Sequence, residues 1–246
     1  MDAECLRQLE LAFLKEPGIA CLVAEPVSAA PIVPGRGYWQ GARDLCRRYG
    51  ALLVFDEIIE GFGRTGKMFA CQHSVTPDIL VLGKSLGGGL LPFAGIVARP
   101  ELDVCPQLSV GHYTHEKNAL CAAAALAEIR YLEAHRLPEH AARLGEYALS
   151  RLEEMKARHA IIGNVTGIGL HLGLELVKDP TTRERACEEA AMVMYRCMEK
   201  GLAFKTLEGN RITLRPALVI TQQEMEQALD ILDEAIGEIE RGEGYP

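Results

Sequence analysis

The sequence lacks any long apolar run, any closely spaced pair of cysteines and any excess of basic residues. No window approaches ~18 uninterrupted apolar residues, so no segment is predicted to span a bilayer. The 246 residues include 26 Lys plus Arg against 34 Asp plus Glu, a net charge of −8, which argues against general affinity for nucleic acid or anionic membranes. The first residues mix charges with apolar side chains, unlike a signal peptide. These absences predict a globular protein of the cytoplasm.

Cysteine and histidine spacing gives no sign of a disulfide framework or a metal centre. The eight cysteines stand singly, with no Cys-x-x-Cys pair, and several lie inside apolar patterns. We therefore expect buried thiols in a reducing compartment. The histidines at His112, His115, His135 and His140 form no metal-ligand pattern, which disfavours a metal-dependent hydrolase and predicts no metal site. His115 is interpreted as a local hydrogen-bond partner, with substrate contact as the alternative.

Four short apolar runs predict strands of an α/β fold. Continuous apolar runs separated by helical patterns are typical of buried parallel strands. Gly50 is placed to end the helix that precedes the second run. The four runs are Gly18–Ala24, Ala51–Phe55, Ile79–Leu82 and Phe93–Ala98.

The pattern changes in the last third of the chain. The residues Gly167–Val177 alternate in part and predict one strand, which is followed by an amphipathic helix, two short strands and a closing helix. Thr221 and Glu224 predict a capping box at the start of that closing helix. We expect a large α/β domain over residues 1–160 and a smaller α+β domain over 161–246.

Ionisable side chains follow the first three predicted strands at Glu25, Asp56 and Lys84, and Arg99 follows the fourth. In a parallel α/β sheet, ligands bind beyond the carboxyl ends of the strands. A single lysine there is usually solvated, and a single aspartate usually caps a turn or pairs with a cation. A lysine beside three glycines at 87–89 also fits Schiff-base formation with a carbonyl cofactor. A strand-end aspartate fits the ring nitrogen of a pyridine cofactor, and the pair is more informative than either residue alone.

Several ordered motifs resemble one enzyme family. They are LLVFDEIIEGFGRTG at Leu52–Gly66, PDILVLGKSLGGG at Pro77–Gly89, AEPV at Ala24–Val27 and THEKNAL at Thr114–Leu120. Together they resemble the class III (subgroup II) pyridoxal-phosphate-dependent aminotransferases of fold type I. The resemblance implies the back half of the family's large domain, a mostly parallel sheet with helices, plus the smaller C-terminal domain. It also implies pyridoxal 5'-phosphate as the cofactor and a small amino compound as the substrate.

The resemblance also implies roles for individual residues. Lys84 would form the internal aldimine, and Asp56 would pair with the pyridinium nitrogen. Thr114 resembles the family threonine that reaches the cofactor phosphate of a neighbouring subunit, which implies a homodimer. Glu25 takes the position of the family glutamate near the substrate pocket. Asn118 matches the asparagine that opens the next helix, where we predict a capping role.

The sequence departs from the family pattern at two contact positions. Ile59 stands where many members have a glutamine that touches the phenolic oxygen of the cofactor. Thr213 stands where many members have an arginine for the substrate carboxylate, while Arg211 and Arg215 lie two residues away on the same face of a regular strand. Either arginine could substitute, and Arg215 is the candidate for substrate binding. Arg64 is expected to order its own loop through ion pairs.

Three functional hypotheses follow. The first is a class III transaminase. The second is an ammonia-lyase or epimerase of the same family, acting on a small amino compound such as an amino-phosphonate. The third is a truncated, inactive or partner-requiring fragment, because the chain begins late in the family pattern, without the phosphate cup and the stacking aromatic residue. On that hypothesis a missing N-terminal half would associate with this chain, and the sheet would show an exposed edge and apolar surface.

Overall fold

A computed structural model describes residues 2–108, 111, 114 and 116–243. The chain divides into two compact units. The first comprises Met1–Val27, Pro34–Gly63 and Lys67–Arg136, and the second Ser28–Val33, Arg64–Gly66 and Leu137–Pro246. The division at 136/137 differs from the expected domain limit at 160/161, because the long helix that follows Arg136 packs on the sheet of the second unit.

The first unit contains a four-stranded sheet with the order β1-β2-β3-β4. The first three strands are parallel, as predicted, and the α/β fold class with a mostly parallel sheet is confirmed. Its helices are α1 (Asp2–Lys15), α2 (Tyr38–Tyr49) and α3 (Ala119–Ala134), and its strands are β1 (Cys21–Ala24), β2 (Leu52–Asp56), β3 (Ile79–Leu82) and β4 (Gly95–Ala98).

The prediction that the fourth apolar run forms a parallel strand is wrong. Strand β4 is antiparallel to β3, with Ile79 opposite Ala98 and Leu82 opposite Gly95. The connection contains only a short 3-10 turn (Lys84–Gly87) and no α-helix, whereas a parallel return requires a crossover, usually through a helix. Arg99 therefore lies at the opposite edge from the ends of β1–β3.

Arg99 has a structural role at that opposite edge. Its Nε lies 3.0 Å from Oδ1 of buried Asp78, whose Oδ2 lies 2.9 Å from Nη1 of Arg43 and 2.8 Å from the backbone nitrogen of Leu53. Two cations and an amide thus compensate one buried carboxylate, as buried charge requires. This cluster ties β3, β2 and α2 together.

Both edge strands of the first sheet expose apolar side chains. Ile96 and Val97 of β4 are 67% and 60% exposed, and Val23 of β1 is 59% exposed. Such residues on edge strands are a surface that other protein normally covers. The exposed edge and apolar surface expected from the sequence are therefore present in the described part of the chain.

The second unit is an antiparallel sheet with the order β5-β6-β8-β7, packed against three helices. The leucines of β6 face these helices and form the centre of the core, together with Ile212 of β8 and with Leu152, Leu229 and Leu232. The helices are α4 (Leu137–Arg158), α5 (Cys187–Glu199) and α6 (Gln222–Glu240), and the strands are β5 (Ile162–Ile168), β6 (His171–Leu176), β7 (Lys205–Leu207) and β8 (Arg211–Leu214).

The single strand predicted over Gly167–Val177 is wrong, because a hairpin turn interrupts it. Ile168 pairs with His171 across a two-residue connection, in which Gly169 has φ +56°. Leu170 in that turn is fully buried, so the apolar alternation continues through the turn and hides it in the sequence.

The helix ends predicted at Gly50, Asn118 and Thr221 agree with the structure. Gly50 ends α2 in the left-handed conformation, with φ +71°. The Asn118 side chain accepts a hydrogen bond from Leu120 N at the start of α3, and Thr221 forms the predicted capping box with Glu224. The eight cysteines are free thiols, but the predicted burial holds for three of them: Cys46, Cys121 and Cys197 are buried, three others are half-buried, and Cys5 and Cys187 are exposed. No described helix is long and apolar enough to cross a membrane.

A close approach of helix and turn makes Gly145 essential to the second unit. A Cβ at this position of α4 would overlap the carbonyl oxygen of Gly169. Gly145→Ala should therefore lower the free energy of unfolding by about 1–3 kcal/mol through overpacking, although the same change in an open helix would raise it. Urea denaturation measures this effect. Glu146→Ala, an exposed neighbour on α4, is the control, and an equal or higher stability of Gly145→Ala would contradict the prediction.

Candidate active site

The parallel pairing of β1, β2 and β3 places the ends of these strands at one edge of the sheet, here called the carboxyl-end edge. Ala24 lies opposite Phe55, so Glu25 and Asp56 follow at the same level. Asp56 lies opposite Val81, and Lys84 follows three residues later. Neighbouring strands lie about 4.8 Å apart. The structure therefore brings Glu25, Asp56 and Lys84 to a common edge, as the sequence predicts.

The segments that carry Asp56 and Lys84 pack against each other. Asp56 is half-buried, and its Oδ1 accepts a hydrogen bond of 3.0 Å from Ile58 N, which closes a tight turn. The Ile58 side chain lies against Gly83, where an added Cβ would stand 3.5 Å from Cγ1 of Ile58. The Asp56 turn thus abuts the residue that precedes Lys84.

Lys84 combines an exposed side chain with a strained backbone. Its φ is +47°, a left-handed conformation that costs a residue other than glycine about 1–3 kcal/mol. It begins the 3-10 turn, which ends at Gly88 with φ +64°. Five other non-glycine residues in the described part of the chain also have positive φ. Strain alone therefore does not identify a site, and the inference depends on the combination of a strained lysine with a strand end and a glycine loop.

Glu57 is a supporting residue that the sequence analysis did not assign. Its carboxylate is fully buried and accepts hydrogen bonds from Ala70 N at 2.5 Å and from Cys71 N at 2.6 Å. Burial raises the pKa of the Glu57 carboxyl, against the effect of those two amides, and burial beside Glu57 raises the pKa of the Cys71 thiol to about 12. Glu57 thereby fixes the segment that follows β2. The only signal in the sequence is a second acid directly after Asp56.

Two further predicted residues lie outside the strands. Ile59 is half-buried in the turn that follows Asp56, and Thr114 is exposed. His115, interpreted as a hydrogen-bond partner or substrate contact, lies outside the described residues. The contacts of Ile59 and Thr114 with a cofactor stay predictions.

In the second unit, the two candidate arginines have different partners. Arg211 has Nη2 at 3.9 Å from Oε1 of Glu175 and Nε at 3.4 Å from Oε2 of Glu208. Arg215 instead donates to the carbonyl oxygen of Ala29. The substrate contact expected of Arg215 stays a prediction.

Arg64 and His171 belong to the same positively charged region as Arg215. Arg64 donates to the carbonyl oxygens of Leu170 at 3.2 Å and Pro216 at 2.5 Å, so it orders this region through backbone acceptors rather than the expected ion pairs. Burial and the Arg215 charge lower the pKa of Arg64 to about 10. Burial, then the charges of Arg215 and Arg64, lower the pKa of His171 to about 4, against its hydrogen bond to Ser28 O.

Comparison with known proteins identifies the family. The family model for class III aminotransferases matches residues 1–236. The chain belongs to the class III aminotransferase family. The family resemblance that the sequence motifs indicate is therefore confirmed.

Related family members carry out different reactions. The chain is 40% identical to an (R)-1-hydroxy-2-aminoethylphosphonate ammonia-lyase of Vibrio splendidus (strain 12B01), over 97% of this chain and 50% of the relative. It is also 40% identical to a leucine/methionine racemase of Thermococcus litoralis, over 97% of this chain and 55% of the relative. The chain thus spans about half the length of the relatives it matches.

A solved structure supports both fold and cofactor. An amine transaminase from an uncultivated Pseudomonas species, in its pyridoxal-phosphate-bound form, has 33% sequence identity and a TM-score of 0.91, over 96% of this chain and 56% of that one. Family membership and this neighbour indicate pyridoxal phosphate as the cofactor. Within the described residues, no group of three or more His, Cys, Asp or Glu side chains could hold a metal ion.

The lowered pKa of His171 predicts an acid-sensitive second unit. Between about pH 6.5 and pH 4 the unfolded state binds a proton that the folded state does not, so stability falls as the pH falls. At pH 4.5 this cost should reach about 2–3 kcal/mol relative to pH 7, at 1.36 kcal/mol for each pKa unit. His171→Gln should remove that part of the pH dependence in urea denaturation. The exposed His135→Gln is the control, and an unchanged pH slope in His171→Gln would refute the assignment.

Proposed function

We propose that this chain carries the cofactor-binding lysine of a pyridoxal-phosphate-dependent enzyme that acts on a small amino compound. The observation that supports the proposal most is the placement of Lys84, strained and exposed, at the carboxyl-end edge beside the Asp56 turn. The Lys84 amine is carried on a flexible four-carbon side chain, and its backbone follows the end of β3. Lys84 and Asp56 suit pyridoxal phosphate, because an amine and a carboxylate lie at the same edge of the sheet.

Each residue at that edge has a distinct proposed task. Lys84 would hold the cofactor through its Nζ, and the same amine would move the proton at the carbon next to the substrate amine. Asp56 would keep the ring nitrogen protonated. Glu25 would border the substrate, and Ile59 would stand beside the ring in place of a polar contact. Bound pyridoxal phosphate supplies the electron sink for this proton transfer.

Two proposed contacts concern the substrate and a second copy of the chain. Arg215 is the candidate for an anionic group of the substrate, because it lies two residues from the position at which the resemblance implies an arginine, on the same face of a regular strand. Thr114 is the candidate for the cofactor phosphate of a neighbouring subunit, which supports a homodimer. A cytoplasmic location is part of the same proposal.

Transamination is the reaction that the family name implies, and elimination or racemisation is the second candidate. The observation that favours the second candidate is that two relatives at 40% identity are a lyase and a racemase. Thr213 in place of the family arginine also weakens the usual clamp for a keto-acid partner. All three reactions share the proton transfer assigned to Lys84.

Lys84→Ala should abolish covalent capture of pyridoxal phosphate. We expect the wild-type chain with added pyridoxal phosphate to show a visible absorption band that borohydride bleaches, with the label on Lys84 in peptide mass spectra. Lys84→Arg should also fail, because a guanidinium keeps the charge without a nucleophilic amine. Lys15→Ala, at the exposed end of α1, is the control. Equal labelling of Lys84→Ala and wild type would contradict the assignment of Lys84 as the cofactor-binding lysine.

The reaction type is predicted to show in whether an acceptor is needed. The chain loaded with pyridoxal phosphate is incubated with (R)-1-hydroxy-2-aminoethylphosphonate or L-leucine, with and without pyruvate. Ammonia release or loss of optical activity without pyruvate indicates the lyase or racemase. A new amino acid formed only with pyruvate indicates the transaminase, with Lys84→Arg as the blank. A chain that captures the cofactor on Lys84 but converts none of these substrates would contradict catalysis by this chain alone.

A further inference from the structure

A carboxylate on α3 contacts the glycine loop that follows Lys84. Oε2 of Glu128 accepts a hydrogen bond from Gly88 N at 2.6 Å. Gly88 N also donates to Ser85 O at 2.8 Å, which closes the 3-10 turn begun by Lys84. Helix α3 therefore contacts the turn at Gly88, which lies 40 positions before Glu128 in the chain.

The acceptor in this contact is a carboxylate. Glu128 is half-buried, and its burial raises the pKa of the carboxyl, while the Gly88 amide acts in the opposite direction. Hydrogen bonds to an ionised acceptor are shorter and roughly twice as strong as neutral ones. The distance of 2.6 Å is short, as expected for an ionised acceptor.

The loop needs such a restraint because glycine dominates it. Gly88 and Gly89 have φ of +64° and +70°, and consecutive glycines lose more conformational entropy on ordering than other residues. At the other end of the turn, Leu86 N donates to Gly83 O at 3.1 Å, where β3 ends. The left-handed Lys84 thus lies within a turn that follows β3 directly and that contacts Glu128 at its other end.

We propose that Glu128 is a positioning residue that holds the glycine loop so that Lys84 keeps its left-handed backbone and presents its amine. This inference rests on the proposed role of Lys84. Glu128 acts through Gly88 and the turn, not on the cofactor or the substrate. Its loss should slow capture of the aldehyde by Lys84 while the rest of the unit stays folded.

Two independent measurements test the inference. Amide hydrogen exchange is followed in the peptide that contains Gly88, and the rate of borohydride-trapped labelling of Lys84 is followed with added pyridoxal phosphate. In Glu128→Ala we expect Gly88 exchange to rise at least tenfold and Lys84 labelling to slow about tenfold. Glu128→Gln keeps an acceptor oxygen and should stay within about threefold of wild type in both. Glu133→Ala, an exposed acid on the same helix, should match wild type.

The outcomes separate this inference from the proposed function. Unchanged Gly88 exchange in Glu128→Ala overturns the restraint. Faster exchange with wild-type labelling of Lys84 overturns the positioning role, and so does slow labelling that Glu128→Gln fails to restore. If the wild-type chain itself captures no pyridoxal phosphate, the proposed function falls, and Gly88 exchange still decides whether Glu128 holds the loop.

Discussion

The parallel register of β1, β2 and β3 is the constraint on which the candidate active site depends. Three strands that run in one direction must end at one edge, so residues far apart in sequence meet there without any further contact between them. A one-residue slip of β2 against β3 would turn Asp56 to the other face. Leu53 and Phe55 are fully buried on one face of β2 and Val54 is buried on the other, so such a slip would exchange the side chains that pack on each face.

Carboxylates that accept hydrogen bonds from backbone amides fix the loops beyond the strands. Glu57 accepts from two amides beyond β2, and Glu128 accepts from one amide beyond β3. A carboxylate that replaces water with backbone N–H groups costs desolvation, but it fixes loop backbone that apolar packing cannot reach. Asp78 does the same at the opposite edge, with two arginines as partners. The sheet sets the direction of each loop, and these acids set its conformation.

Local signals predicted more of the structure than long-range ones. The apolar runs gave the four strands of the first sheet, and Gly50, Asn118 and Thr221 marked helix ends because caps depend on a few adjacent residues. The direction of β4 depends on the connection that precedes it, and the β5–β6 turn was hidden by buried Leu170. The strand-end acid and lysine were predictable from spacing, but the partners of Glu57 and Glu128 were not, because folding alone brings those amides to them.

The relatives of this chain include a lyase, a racemase and a transaminase. On the proposed function, proton transfer next to the substrate amine would be common to these reactions, and the strand register would supply its residues at the carboxyl-end edge. The outcome after that transfer depends on groups around the substrate. The second unit has a sheet of its own, so exchange of the proposed substrate contact Arg215 would leave the register of β1, β2 and β3 unchanged. On this proposal, reaction type can diverge while Lys84 and Asp56 stay fixed.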